Sequence, residues 1–480
     1  MLIAATALLR LLAGWQLGLG IDESYMVAAG RALHLGYFDH PPLSWWLARG
    51  SALLLGSEDP VVVRLPFIAL FAVSTFLVYR LGAMLASPAA GLWAAVAFNL
   101  APVFGVTTGG WVLPDGPLVC ALLGAGCCLM RALPAERGWG WWLGAGGCAG
   151  LALLAKYSAG LTLAGAGLYL LTSPVHRRWL ARPQPWAAAA LALAMFTPVL
   201  GWNASHGWAS FAFQGGRAVA YRLNLAGPLL VLAGEALFLL PWIWAGLIAG
   251  LLRGLRDGPR AWKSWLLCWL ALPPVVLFAV VALWSRHVLF HWAMPGYLFL
   301  FPLLGAQLVR LAAARPVLLR RAATGSAMLI VVGLLATAAE LRWNWLRAFA
   351  PGLDPGLQAL DWTPLRGELE SRGLLHRPGT AIAGNSWWVT GKLDYALGGD
   401  PAVLCLNADA REYGITGNPE AGLGEDVLLL GPGLTRERVR DSYGRLFDSI
   451  DELDPAVLRF PARPAASVPL FLGRRLHGLP

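Results

Sequence analysis

VVVRLPFIALFAVSTFLVYR, residues 61–80, carries only two charges, Arg64 near one end and Arg80 at the other. A helix needs about 20 mostly apolar residues to cross the hydrocarbon core of a bilayer, so this run reads as a membrane span. The same reading extends in both directions along the chain. Residues 2–19, 88–106, 114–131, 140–155, 157–172, 186–203, 228–250, 265–284, 292–309 and 322–341 are comparable runs, which gives about eleven spans. The first run lacks a basic leading segment and a small-x-small cleavage signal, so it counts as a span and not as a removable leader.

Composition agrees. Of 480 residues 57% are hydrophobic and 13% charged, against about 25% charged in soluble proteins. A soluble enzyme is excluded. The net charge of +10 does not indicate a nucleic-acid partner, because the excess is uneven. Residues 1–341 hold 22 Lys and Arg against 10 Asp and Glu, while residues 342–480 hold 15 against 17. The excess belongs to the apolar part and reports topology. With the N-terminus in the cytoplasm, alternation puts 14 cations in inner turns and 7 outside, which obeys the positive-inside rule. An odd span count then places the C-terminal part outside.

Residues 1–341 are therefore expected as a membrane domain with a long outer loop at 20–60, and residues 350–480 as a soluble domain. In the latter, apolar runs at Thr380–Gly384, Ala402–Leu406 and Asp426–Leu430 alternate with helical stretches at Val389–Leu397 and Thr435–Leu446. That is the pattern of a small α/β domain. It contains no GxSxG, GxxxxGK[ST] or GxGxxG, so a binding or lid role is expected of it. Cys120, Cys127, Cys128, Cys148 and Cys268 lie in apolar runs and Cys405 stands apart. No zinc spacing or disulfide framework is visible.

The outer segments 20–60 and 204–227 hold the acids, histidines and aromatics. Asp22-Glu23 directly follow the first span, and such acids are costly at a membrane surface unless solvated or used. They equally suit the start of a helix. In Tyr37-Phe-Asp-His-Pro-Pro-Leu43 the proline pair holds Asp39 and His40 in an extended turn. Asp115 sits in Leu113-Pro-Asp-Gly-Pro117, where an N-cap is the plain alternative. Lys156-Tyr157 interrupt an apolar run, where a lysine could simply snorkel. Arg217, Arg222, Arg286, His287 and His291 complete the outer set. Singly each suits a solvated or headgroup-facing charge. Jointly, cations from separate segments suit a lipid-borne phosphate, and a carboxylate beside them suits proton removal from an attacking hydroxyl.

In this order, the acidic pair, Tyr37-Phe-Asp-His-Pro-Pro-Leu43, Leu113-Pro-Asp-Gly-Pro117, Ala155-Lys-Tyr157 and His291-Trp-Ala-Met-Pro295 resemble the dolichyl-phosphate-mannose protein mannosyltransferase superfamily. The similarity is nearest to its bacterial family-39-like members and the lipid A aminoarabinose transferases, and covers about residues 15–310. The resemblance implies a C-type glycosyltransferase (GT-C) fold, a polyprenyl-phosphate sugar donor, and a lipid, glycan or protein acceptor on the periplasmic side of a bacterial inner membrane. It implies Asp22 as general base, Glu23 shaping the pocket, Asp115 as a second carboxylate and Lys156 as a donor-phosphate contact. His40 stands where the aminoarabinose transferases carry a lysine and Asp39 where they carry a glutamate, which weakens the phosphate role of position 40. No cofactor is expected, and the outer histidines leave a divalent metal open. A transporter or flippase remains the main alternative. It would place ionisable residues at mid-span, where only Glu235 and Glu340 occur. A lipid-linked-sugar ligase or polymerase would carry its large loop late in the chain, not at 20–60, and a non-catalytic assembly protein would use the polar loops for docking.

Overall fold

A computed structural model describes all residues except 220–221, 286–287, 350–353 and 461–462. Arg286 and His287 thus lie outside the described residues. The protein is a polytopic helical membrane protein with a small C-terminal α/β domain. Its helices are α1 (Leu2–Gln16), α2 (Ile21–Ala29), α3 (Leu43–Leu55), α4 (Pro60–Leu85), α5 (Pro88–Leu100), α6 (Asp115–Ala132), α7 (Trp139–Ala155) and α8 (Ala159–Thr172). They continue with α9 (Pro183–Ser205), α10 (Ala209–Gly216), α11 (Gly227–Leu239), α12 (Pro241–Asp257), α13 (Trp262–Val281), α14 (Met294–Tyr297), α15 (Phe301–Ala314) and α16 (Pro316–Trp343).

Each of the eleven expected runs falls on helix, and length separates them. Among the described residues six are long and apolar enough to cross a membrane: α4, α6, α9, α13, the α14–α15 stretch and α16. Two further runs are bent pairs. The pair α1 and α2 turns by 80°, and α11 and α12 by 112°. The second bend corrects the expectation of one span over 228–250. Pro241 has no N–H to continue the helix and Leu240 takes φ +69°, so the axis breaks there. Helices α5, α7 and α8 are shorter, at 13, 17 and 14 residues. The chain continues beyond α5 as a π-helical turn over Val103–Thr108.

The chain packs as two units. The first comprises Met1–Leu11, His34–Ser44 and Arg64–Val331. Its core is aromatic at the centre, where Phe98 lies 5.0 Å from both Phe71 and Phe104 and 5.5 Å from Phe301. Small residues let the helices meet closely, as expected where lipid offers no hydrophobic drive to associate. A Cβ at Gly305 of α15 would lie 2.1 Å from the Ala90 carbonyl oxygen of α5.

The second unit comprises Leu12–Leu33, Trp45–Val63 and Val332–Pro480, so residues 20–60 are divided between the two. It adds α17 (Pro364–Ser371), α18 (Trp387–Leu397) and α19 (Arg436–Tyr443), and strands β1 (Thr380–Gly384), β2 (Val403–Cys405), β3 (Asp426–Leu430), β4 (Ser449–Phe460) and β5 (Arg463–Arg474). The sheet order is β2-β1-β3-β5-β4. β1 is parallel to β2 and β3, while β5 is antiparallel to β3 and β4. In β3, Leu428 and Leu430 pack with Leu365, Leu369 and Leu393 on one face. Val427 and Leu429 pack with Val439, Tyr443 and Phe471 on the other. Burial on both faces explains why β3 reads as an unbroken apolar run. The β4–β5 hairpin was not foreseen, because β4 is an edge strand with Glu452 and Asp454 exposed and Pro455 inside it, the composition edge strands favour.

Helix α18 docks on α2 within this unit. The Tyr25 ring meets Trp387 at 5.3 Å and Tyr413 at 5.9 Å. Lys392, buried, donates to the carbonyls of Leu19 and Leu360. Arg31 pairs with Glu58 at 2.7 Å and Asp394 at 2.9 Å, and Arg49 with Glu58 at 3.2 Å. A Cβ at Gly391 would lie 2.7 Å from the Tyr25 Cα. Gly391→Ala gains about 1 kcal/mol of helix propensity, but backbone cannot yield as a side-chain tip can, and overpacking of this kind costs about 1–3 kcal/mol. The variant should melt lower than wild type in detergent, whereas Gly367→Ala, with open space around it on α17, should melt at or above wild type. Thermal unfolding of both variants checks this.

Candidate active site

The acidic pair opens α2 from Gly20. Glu23, 2% exposed, accepts the Gly20 N–H on Oε2 at 2.8 Å, so it closes the helix start as an N3 glutamate does. Asp22 beside it is exposed in the same first turn. Both carboxylates face the positive end of the helix dipole.

In the first unit, Asp115 begins α6 and Lys156 ends α7. The Lys156 ammonium donates to both carboxylate oxygens of Asp115, at 3.0 and 3.1 Å, with side chains only 12% and 18% exposed. Lys156 adopts an extended backbone, φ −157°, that ends the helix. An ammonium has three donors, and these bonds commit Lys156 to Asp115. His40 and His291 both lie within electrostatic reach of the Asp115 carboxylate.

His291 sits in the turn before α14. Burial, helped by the Lys156 and Arg217 cations and opposed by Asp115, lowers its pKa to about 4. It is therefore a neutral imidazole at physiological pH. The Arg217 guanidinium stands over the rings of Phe213 at 5.0 Å and Trp292 at 4.9 Å, a geometry that holds a cation in an apolar setting. Its carbonyl accepts from Ser285 Oγ at 2.7 Å.

A second group of contacts adjoins through Tyr157. Its hydroxyl is 2.6 Å from Ser210 Oγ and 3.5 Å from the Asn203 amide nitrogen. The Gln214 amide donates to the Asp39 carbonyl, and Asp39 is 4% exposed. The His40 carbonyl accepts from the Tyr37 N–H at 3.2 Å and closes the turn before the proline pair. Arg222 is exposed on the segment after α10, and no hydrogen bond or ion pair ties it to this set among the described residues. The structure thus assembles Asp115, Lys156, Arg217, His40 and His291, seats Asp39 and Tyr157 through α9 and α10, and leaves Arg222 outside. Among the described residues no three His, Cys, Asp or Glu side chains are grouped to hold a metal ion.

Asn203, Ser210 and Gln214 escaped the sequence reading because uncharged polar residues raise no alarm in a loop. The usable signal was the Asn203 amide at the end of an otherwise apolar helix. His291 yields the pH test. Its folded pKa lies below the unfolded value of about 6.5, so the unfolded chain binds more protons between the two values and stability falls as pH drops through that window. The loss approaches about 1.4 kcal/mol per pH unit. Thermal midpoints from pH 7 to 4 should fall less steeply for His291→Gln than for wild type.

Comparison with known proteins fits this geometry. Residues 39–202 match the dolichyl-phosphate-mannose-protein mannosyltransferase family model. The lipid A galacturonosyltransferase RgtD of Rhizobium johnstonii is 22% identical over 292 residues, and the chain spans 58% of the length of that curated relative, with 58% of its own length matched. The crystal structure of ArnT from Cupriavidus metallidurans in the apo state superposes with a TM-score of 0.65 at 15% identity, over 98% of this chain and 97% of that one. Its form bound to undecaprenyl phosphate gives 0.63 at 17%, with the same coverage. The chain therefore has the GT-C fold of the ArnT structures, and its residues 39–202 resemble the dolichyl-phosphate-mannose-protein mannosyltransferase family.

Proposed function

We propose that this protein transfers a sugar from a polyprenyl-phosphate donor to an acceptor hydroxyl, with inversion at the anomeric carbon. The observation that carries the proposal is the partly buried cation set: Lys156 held on Asp115, with Arg217 and the neutral His291 beside it. A phosphate on a lipid needs fixed donors at membrane depth, where water is scarce and charge-assisted bonds are strong. Lys156 supplies a compact charge and Arg217 a planar one. Asp115 keeps the ammonium from collapsing elsewhere, and His291 offers a hydrogen bond without adding a charge. The undecaprenyl phosphate bound in the ArnT structure supports a lipid-phosphate donor, and the name of the lipid A galacturonosyltransferase RgtD supports transfer of a sugar.

In the reaction, the acceptor oxygen attacks the anomeric carbon as the carbon–oxygen bond to phosphate breaks. The bonding pair leaves on the phosphate, which Lys156, Arg217 and His40 stabilise. The acceptor proton passes to a carboxylate. We assign that base to Asp22, the exposed acid of the pair and the position the family motif marks, while Glu23 holds the helix start. The acceptor, a lipid A-like glycolipid, a glycan or a protein, is taken on the periplasmic side, with the N-terminus in the cytoplasm as the cation distribution indicates.

One observation favours a flippase instead. The break between α11 and α12, with Glu235 beside it, is a feature of transporters. Purified full-length protein given labelled undecaprenyl-phosphate sugar and a membrane extract separates the two. Transfer of label to an acceptor supports the enzyme, and movement of intact donor across proteoliposomes without transfer supports the flippase. Lys156→Gln should raise the donor KM by about 10- to 100-fold, since bonds to charged groups are worth about 1.5–3 kcal/mol, with kcat changed less. Asp22→Asn should lower kcat by about 10²- to 10⁴-fold, the usual range for a lost general base, and leave donor binding intact. Initial rates over a donor series read both. A product that retains the donor's anomeric configuration would refute the single displacement.

A further inference from the structure

Helix α11 is apolar apart from Glu235. Its residues Gly227, Val231, Gly234 and Glu235 recur at i, i+4, i+7 and i+8, one helical face, and all four are buried. That face receives the segment that carries His291. Gly227 lies against the Ala282 carbonyl, where a Cβ would come to 1.9 Å, and Val231 packs with Val281 and Val288. Gly234 receives Phe290, the residue before His291, at 2.3 Å from where a Cβ would stand. Glu235, the next residue and 0% exposed, accepts the Tyr297 hydroxyl on Oε2 at 2.7 Å. Tyr297 in turn accepts from Trp244 Nε1 at 3.0 Å. An indole nitrogen can only donate, so the tyrosine hydrogen is committed to Glu235 and the chain of bonds has a fixed direction.

We propose that Glu235 is a positioning residue for His291. Gly234 and Glu235 grip the chain on both sides of it, at Phe290 and at Tyr297. His291 lies in the turn that precedes the Met294–Ala314 span, between these two contacts. The carboxylate therefore acts through Tyr297 and touches no substrate. The proposal deepens the reading of His291 as part of the donor-phosphate site and rests on it for the kinetic consequence alone.

The test uses full-length protein in nanodiscs, with diethyl pyrocarbonate modification of His291 followed by peptide mass spectrometry, beside donor kinetics. Glu235→Leu and Tyr297→Phe should each speed His291 modification several-fold, while Glu235→Gln, whose amide oxygen still accepts from Tyr297, should modify at the wild-type rate. The donor KM should rise about tenfold in the first two, the worth of one buried hydrogen bond, with kcat within about twofold, and should recover in Glu235→Gln. Tyr297→Phe removes only a hydroxyl and keeps the test alive if Glu235→Leu does not fold. Unchanged His291 modification in folded Tyr297→Phe overturns the proposal, as does a Glu235→Gln variant as perturbed as Glu235→Leu. Wild-type protein that turns over no donor sinks the transferase reading, while the modification rates still decide the positioning role.

Discussion

The ion pair of Asp115 and Lys156 sets the terms for the first unit. A lysine at the end of an apolar helix cannot stay charged without a partner or a path to water, since an unpaired charge at membrane depth costs several kcal/mol. Asp115 supplies the partner by bonding it with both oxygens. The pair ties the start of α6 to the end of α7. Its two charges act on His291 in opposite directions, and burial is what chiefly lowers that histidine's pKa. A buried pair of this kind is weak evidence for stability, because desolvation offsets most of its attraction. What the pair does do is hold the Lys156 ammonium at a defined place.

The charges of residues 20–60 serve a different end. Arg31, Arg49 and Glu58 are joined to one another and to Asp394, and the Tyr395 hydroxyl donates to the Glu58 carbonyl at 2.9 Å. These side chains anchor α2 and α3 to the α/β domain. Glu23 is likewise absorbed by its own helix start. Asp22 beside it is exposed, so the two adjacent acids stand in different surroundings.

Much of this was legible in the residues. The apolar runs locate every long helix, because lipid admits only backbone that bonds to itself. Strands β1 and β3 stand out because both faces are buried. The hairpin of β4 and β5 does not, since an exposed edge strand carries charges and prolines where a core strand carries valine and leucine. The break at Leu240-Pro241 was present as a proline yet concealed by the uniform hydropathy around it. Hydropathy is blind to backbone direction.

The sequence by itself determined the environment of each residue: which segments lie in lipid, which ends carry cations, and which few polar groups are out of place. Those follow from transfer free energies that depend on residue type alone. Only the tertiary structure decided which polar groups meet. Asp115 and Lys156 are 41 positions apart, and nothing in either neighbourhood names the other. Arg217 and Arg222 are five positions apart and alike in type, but one is seated over Phe213 and Trp292 and the other is exposed. Pairing depends on helix packing and loop direction, which many distant contacts settle together, and so it cannot be read from any one stretch of chain.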